Sequence, residues 1–260
     1  MRGSMKRVLI ESDFHCGTHS GLTPVGFRSG EAQGKWKEVQ KTVWNWRETM
    51  LDKWRPFDVY FNLGDCVDGS GAANGSVEQI TTDPNEQAEM AAIAITRVQA
   101  KTCVIVAGTP YHSGKCGDVE KLVADKVNGH FSGWEQVDVN GRIFDLRHKV
   151  GRGSMPHTRA TSVMRQWVNN AAWTELGVQK KADVFCRGHV HYGLGIFDYA
   201  MDRAFFTLPG YEWSTQFGTR QCDGFVNIGA MICDVEDNGE MKWKAEMLDL
   251  RQVAHEPLKA

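Results

Sequence analysis

Short apolar, β-branched runs recur along the chain at Arg7–Glu11, Asp58–Leu63, Cys103–Ala107, Arg142–Arg147 and Asp183–Arg187, and each reads as a buried strand. Between the first two, Trp36, Val39, Val43, Trp46, Met50 and Trp54 recur at helical steps, which predicts one helix face ending before Pro56. Helical spacing alone accounts for this aromatic stripe, so the tryptophans are assigned to the core and not to a base-stacking surface. Asp83 followed by Pro84 reads as an N-cap with proline in the first turn, opening a helix through Met90, Ile93 and Val98. Asp118 similarly precedes Val119, Leu122, Val123 and Val127. A longer helix is predicted from about Thr161 through Val163, Trp167 and Ala171 to Leu176, where Gly177 supplies a left-handed cap. Strand and helix alternate, so the fold class is α/β. The last third changes character: residues 205–210, 225–235 and 241–250 are strand-like, and Asp237-Asn238-Gly239 joins the last pair as a hairpin. A second, partly antiparallel sheet is expected there. With no repeat or long linker, residues 5–260 read as one domain.

Composition narrows the class of partner. The 260 residues are 42% hydrophobic and 24% charged, ordinary for a globular chain. Thirty basic against 32 acidic residues leave a net charge of -2, so the footprint of a dedicated nucleic-acid binder is missing. No apolar run reaches the roughly 18–20 residues that cross a bilayer, and the N-terminus lacks the apolar core of a secretory signal. A cytoplasmic protein without a membrane partner is expected. Met1 to Ser4 read as an expression-vector remnant, with Met5 as the natural start. The seven cysteines contain no C-x-x-C pair and are read as reduced thiols; Cys16 and Cys66 adjoin candidate metal ligands but are taken as buried spacers.

The chemistry gathers at the strand ends. The five runs are followed by Asp13-Phe14-His15, Gly64-Asp65-Cys66-Val67-Asp68, Gly108-Thr109-Pro110-Tyr111-His112, His148, and Gly188-His189-Val190-His191. In α/β sheets the carboxyl ends of strands line the ligand crevice, so these clusters are expected to converge on a polynuclear metal site. Imidazole and carboxylate donors suit Zn, Mn, Fe, Ni or Co, whereas calcium would ask for more carboxylates and carbonyls. Two cations about 3.5–4 Å apart need a shared carboxylate, for which Asp65 is the candidate.

In order and spacing these motifs, DFH, GDCVDG, G-x-x-x-H, a lone histidine and GHVH, resemble the calcineurin-like metallophosphoesterase family, in particular its compact bacterial or bacteriophage-type members. The resemblance covers residues 6 to about 250. It implies a four-layer αββα sandwich of two sheets flanked by helices, and hydrolysis of phosphodiesters or phosphomonoesters with two divalent metal ions. It places Asp13, His15 and His191 on the first metal, His148 and His189 on the second, and Asp65 on both. The implied nucleophile is a metal-bridging hydroxide. The third motif departs from the family's Gly-Asn-His: Thr109 stands in the asparagine's place, as a candidate for metal or substrate contact. His112 is then read as a displaced catalytic histidine protonating the leaving group, with a role as metal ligand the alternative. Asp68 is read as orienting a ligand histidine through its ring nitrogen, with a helix or turn cap the equal alternative. His19 is a candidate for substrate contact or a solvated loop residue, while His130, His157 and His255 carry no partner pattern. Arg28, Lys149, Arg152, Arg159 and Arg187 are candidates for steering a phosphate.

The leading expectation is therefore a dinuclear metal-dependent phosphoesterase with diesters favoured and a phosphate-ester substrate. The alternatives are a non-catalytic metal-binding or scaffold relative, and a DNA- or RNA-processing nuclease of the same fold. The glycine-rich loops over residues 17–34, 69–84 and 151–161 are expected to shape substrate choice.

Overall fold

The five apolar runs form strands that are buried on both faces over most of their length, as sheets covered on two sides require. The computed structural model describes residues 4–27, 35–72, 75–114, 118–151, 156–213 and 226–253. Strands β1 (Lys6–Glu11), β2 (Val59–Asn62), β3 (Thr102–Val106) and β4 (His130–Ser132) run parallel in one sheet. Its other edge is the hairpin β10 (Gly229–Val235) and β11 (Met241–Met247), with β10 antiparallel to β1 and Ile10 opposite Met231. The hairpin thus extends the first sheet, against the expectation that it opens a second. The physical reason is that β1 is central: its apolar side chains and free backbone edge need cover, and the almost fully buried β10 supplies it.

The second sheet is built earlier in the chain. Its core is β6 (Arg142–Arg147), β7 (Val184–Arg187) and β9 (Arg203–Thr207), all parallel. β5 (Glu135–Val139) and β8 (Leu194–Asp198) close its edges in antiparallel sense. The edge strands β4, β5 and β8 went unpredicted because they are short or half-exposed and carry no continuous apolar run.

Alternation along β1 separates two cores. Val8 and Ile10, with Phe61 and Val104, point at Phe144, Leu146, Cys186 and Phe206 of the second sheet. Leu9, Tyr60 and Ile105 point the other way, onto α1 (Lys35–Trp54), α2 (Pro84–Thr96) and α4 (Asp118–Lys126). On the far side α5 (Thr161–Glu175) lays Trp167 on Phe185 and Phe205. The result is the four-layer αββα order. The α1 stripe lies as predicted, with Val43 and Met50 buried and Trp46 and Trp54 packed against the same core. Asp83 Oδ1 accepts the Asn85 N–H at 2.8 Å, capping α2. Ile93 is 36% exposed, however, and in α5 Ala171 and Leu176 face solvent instead of the sheet; the Val163 side chain lies outside the described residues. Among the described residues no helix is long and apolar enough to cross a membrane.

One buried ion pair ties the helical layer to the site. Arg47 of α1 donates to both carboxylate oxygens of Glu11 at 2.9 and 2.7 Å and to the Ala94 carbonyl at 2.9 Å. The Tyr211 hydroxyl donates to the same carboxylate. Glu11 is the last residue of β1, two before Asp13, so this clamp sets where the first site loop leaves the sheet.

Candidate metal centre

Every parallel strand in the middle of the two sheets delivers its following loop to one crevice. Asp13 and His15 follow β1, Asp65 and Asp68 follow β2, His148 follows β6, and His189 and His191 follow β7. Asp13, His15, Asp65, His189 and His191 all adopt left-handed backbone, with φ of 55°, 46°, 50°, 72° and 53°. L side chains enter that region at a cost, and such strain persists where surrounding contacts over-determine it. Here the first two loops keep pairing past the strand ends, Asp13 N–H on Gly64 and His15 N–H on Asp65, each at 2.9 Å. The glycines of the motifs make room: a Cβ on Gly108 would stand 2.2 Å from Asp65 Oδ1, and one on Gly188 would stand 2.8 Å from Asp13 Oδ2.

After β3 the segment Pro110–Ser113 forms a single turn of helix, α3, with Thr109 as its extended N-cap residue. The Thr109 hydroxyl makes no cap bond because it is engaged elsewhere. It lies 3.1 Å from Asp65 Oδ2, 3.1 Å from His148 Nε2 and 3.3 Å from His189 Nδ1, while the Thr109 N–H donates to Asp65 Oδ1 at 2.6 Å.

Two donor sets result. In the first, Asp13 Oδ1 stands 3.3 Å from His191 Nε2, and His15 Nε2 is 3.2 Å from that same nitrogen. In the second, Asp65 Oδ2 stands 3.0 Å from His148 Nε2, with His189 alongside. Asp65 also has a donor atom within 4.8 Å of His15 and His112, which places it between the sets. Two of these histidines are held by their other nitrogens: His15 Nδ1 lies 2.8 Å from Asp68 Oδ1, and His148 Nδ1 lies 2.7 Å from the Leu63 carbonyl. Each therefore presents Nε2 to the crevice, the arrangement that fixes tautomer and ring direction in metal sites. The donors are nitrogen and oxygen only, a set that fits divalent first-row transition metals.

Asp68 touches two histidines. His112 Nδ1 donates to the Asp68 carbonyl at 2.9 Å and stands 3.0 Å from its Oδ1, leaving Nε2 for another partner. His112 therefore lies on the His15 side of the crevice, and Thr109 lies with His148 and His189.

Burial and charge work against each other throughout. Burial alone would raise the Asp13 and Asp65 carboxyls; the imidazoles of His191 and His15 about Asp13, and of His148 and His15 about Asp65, outweigh it. Asp65 is held at about 2 and Asp13 well below the usual carboxylate range. Burial would conversely lower His148, but Asp65 draws it up to about 9. Asp68 raises His112 against the same effect of burial, whereas burial and the neighbouring His148 depress His189. Such opposed shifts in one crevice are a mark of functional sites.

Two further carboxylates belong here that sequence reasoning missed. Glu120 of α4 is fully buried behind Asp65 and accepts the N–H groups of Cys66 at 3.1 Å and Gly108 at 2.5 Å. Burial and the Asp65 charge push it up to about 7. Its signal was available: Glu120 shares the inward face of α4 with Val123 and Ala124, where a charge is out of place. Glu212 stands 4.0 Å from His191 Nδ1, and burial raises its carboxyl. It follows Tyr211 in an irregular segment and carries no local pattern.

Other candidates lie apart. His19 is half-buried with Nδ1 unpaired, and it is in none of the donor groups. His130 pairs with Glu135 at the surface and His157 is exposed. Arg187 is not available to a phosphate: it is buried against Asp145 and Gln166. Arg159 lies over the Tyr192 ring at 4.4 Å, and Lys149 is exposed. Cys16 and Cys66 are buried donors to the Leu22 carbonyl and the Asn62 amide oxygen, and burial pushes Cys16 up to about 12. Arg28, Arg152, His255, Cys116, Cys222, residues 1–3 and parts of the three glycine-rich loops lie outside the described residues.

No protein-family model and no curated protein matches the chain. Solved structures do. A structure described as a novel archaeal phosphodiesterase aligns with TM-score 0.50 at 12% identity, over 92% of this chain and 99% of that one. Zinc-complexed wild-type Vps29 from Entamoeba histolytica aligns with TM-score 0.46 at 12% identity, over 93% and 98%. A predicted phosphoesterase from Streptococcus pneumoniae aligns with TM-score 0.39 at 9% identity, over 94% and 99%. At 12% identity the likeness to the archaeal structure speaks to architecture alone, and with the geometry above it establishes a metallophosphoesterase-like α/β fold of two packed sheets that carries a cluster of histidines and aspartates able to hold metal.

Proposed function

We propose that the chain is a dinuclear metal-dependent phosphoric ester hydrolase acting on phosphodiesters ahead of monoesters. The observation that carries this reading is the pair of His/Asp donor sets sharing Asp65 at the carboxyl ends of the strands. Asp13, His15 and His191 would hold one ion, His148, His189 and the Thr109 hydroxyl the other, and Asp65 both. Bound there, two divalent transition-metal ions supply Lewis-acid polarisation of the phosphoryl oxygens and lower the pKa of bound water toward neutrality. The protein's own part is orientation and proton handling. Asp68 and the Leu63 carbonyl keep Nε2 of His15 and His148 free to ligate. His112, whose imidazole the Asp68 carboxylate shifts toward the protonated form, would supply a proton from Nε2 to the departing alkoxide, as a general acid within the crevice. The diester preference is supported by the described activity of the archaeal phosphodiesterase.

The competing reading, a non-catalytic metal-binding relative, is favoured by Thr109, whose hydroxyl is a weaker ligand than an amide oxygen. One experiment separates them: metal content by elemental analysis on protein purified without chelator, with hydrolysis of bis(4-nitrophenyl) phosphate and 4-nitrophenyl phosphate in added Mn or Zn. The expected result is about two metal equivalents, turnover of the diester above the monoester, and loss of both metal and turnover in Asp65→Asn. Bound metal without turnover of either ester selects the non-catalytic relative, and no bound metal under any supplement sinks both.

A further inference from the structure

Helix α5 is apolar on two sides. Trp167 and Asn170 face the second sheet, while Met164, Val168 and Leu176 on the outer side are 45%, 68% and 71% exposed. Ala172 lies between the last two on the same outer face and is also exposed. A surface helix normally turns charge to solvent, so a stripe of this kind marks a contact surface. Only two charged residues border it along the helix, Arg165 near the start and Glu175 at the end, and neither has an ion-pair partner among the described residues.

Their placement names the occupant. Arg165 stands five residues before Asn170 and Glu175 five after it. At about 1.5 Å rise per residue, a two-fold axis at the level of Asn170 brings Arg165 of each copy level with Glu175 of the other. The same axis sets Val168 level with Ala172 and Met164 level with Leu176, pairing large side chains with small or flexible ones. Self-complementarity about a central point is what an isologous interface needs, whereas an unrelated partner imposes no such symmetry. We propose that α5 is a homodimer interface, formed by antiparallel packing against α5 of a second copy and closed at both ends by Arg165–Glu175 ion pairs.

The arrangement leaves the crevices open. The first turn of α5 lies at the site end, where the Ser162 hydroxyl donates to the Gly151 carbonyl at 2.7 Å, three residues past His148. Antiparallel helices therefore carry the two crevices to opposite ends of the dimer. One helix face covers less than the roughly 800 Å² per partner of a standard interface, so the dimer is weak, with Kd on the order of 10–100 µM.

The test is sedimentation velocity on the full chain across about 5–300 µM, a range that brackets that Kd, with circular dichroism as the check on folding. The expected result is a mass that climbs with concentration from 29.1 kDa toward twice that value. Val168→Asp holds the monomer mass throughout. Arg165→Glu raises Kd about tenfold, because two attractions become two repulsions, and adding Glu175→Arg restores it to within about threefold. All three sites are exposed, so folding survives each change. A wild-type monomer at every concentration overturns the proposal, as does a dimer indifferent to Val168→Asp or a charge reversal that the double variant fails to rescue. Because the readout is mass and not turnover, the result stands apart from the fate of the phosphoesterase reading.

Discussion

Asp13, His15, Asp65, His189 and His191 each bend into left-handed backbone to face the crevice, and what holds them there is a web of short bonds to neighbouring loops. His189 N–H, for example, donates to both Asp13 carboxylate oxygens at 3.0 and 3.1 Å, fastening the last motif to the first. Thr109 is the residue on which the two readings of the protein divide. Its hydroxyl is within hydrogen-bond reach of Asp65, His148 and His189 together. Thr109→Val keeps shape and removes that oxygen, so under the proposed dinuclear reading one of the two metal affinities should fall about 10- to 100-fold while the other stays near its wild-type value. Titration calorimetry with Mn resolves the two steps; equal affinities in the variant and the wild type would remove Thr109 from the site.

The joint between α1 and the sheet shows how a single carboxylate fastens several elements. Asp58 accepts the Arg7 backbone N–H at 3.0 Å and the Lys101 ammonium at 2.7 Å, so it joins the beginnings of β1, β2 and β3. Burial pushes its carboxyl up, but Lys101 and the Arg7 N–H outweigh that and hold it below its ordinary value. A carboxylate so depressed stabilises the fold above its unfolded pKa of about 3.9 and loses that contribution as pH falls through the lower folded value. Asp58→Asn should therefore cost about 1 kcal/mol at pH 7 and less at about pH 3, the remainder being lost as pH falls through the folded value. Urea unfolding at the two pH values checks this; a cost undiminished in acid would show that the side chain's shape, not its charge, matters.

At the scale of the molecule, the crevice concentrates buried carboxylates and imidazoles from both sheets, an arrangement in which ion binding and folding are coupled. Metal at about a hundred times its Kd should add about 2.7 kcal/mol to stability. For a chain of this size that raises the melting temperature by roughly 5–10 °C. Scanning calorimetry with and without Mn or Zn measures it, and Asp65→Asn should show little of the gain. An unchanged melting temperature in the wild type would mean that the donors do not bind these ions in the folded state.

The five buried strands, the helices α1, α2, α4 and α5, the N-cap at Asp83, the hairpin turn at Asp237-Asn238-Gly239 and the position of each polar cluster were legible in the sequence. Each is written in residues a few positions apart, where period, turn chemistry and strand ends are set. The grouping of those clusters into two donor sets is a matter of which strands lie side by side, and strand order is a long-range property. So is the hairpin's place beside β1, which depends on an unfilled edge more than two hundred residues away. Glu120 and Glu212 entered the site for the same reason: their neighbours are Asp65, Cys66 and His191, distant along the chain and close only once it folds. The outer stripe of α5 is the converse case. Periodicity announced an apolar helix, but only the packed sheet decided which of its two apolar sides was left facing water.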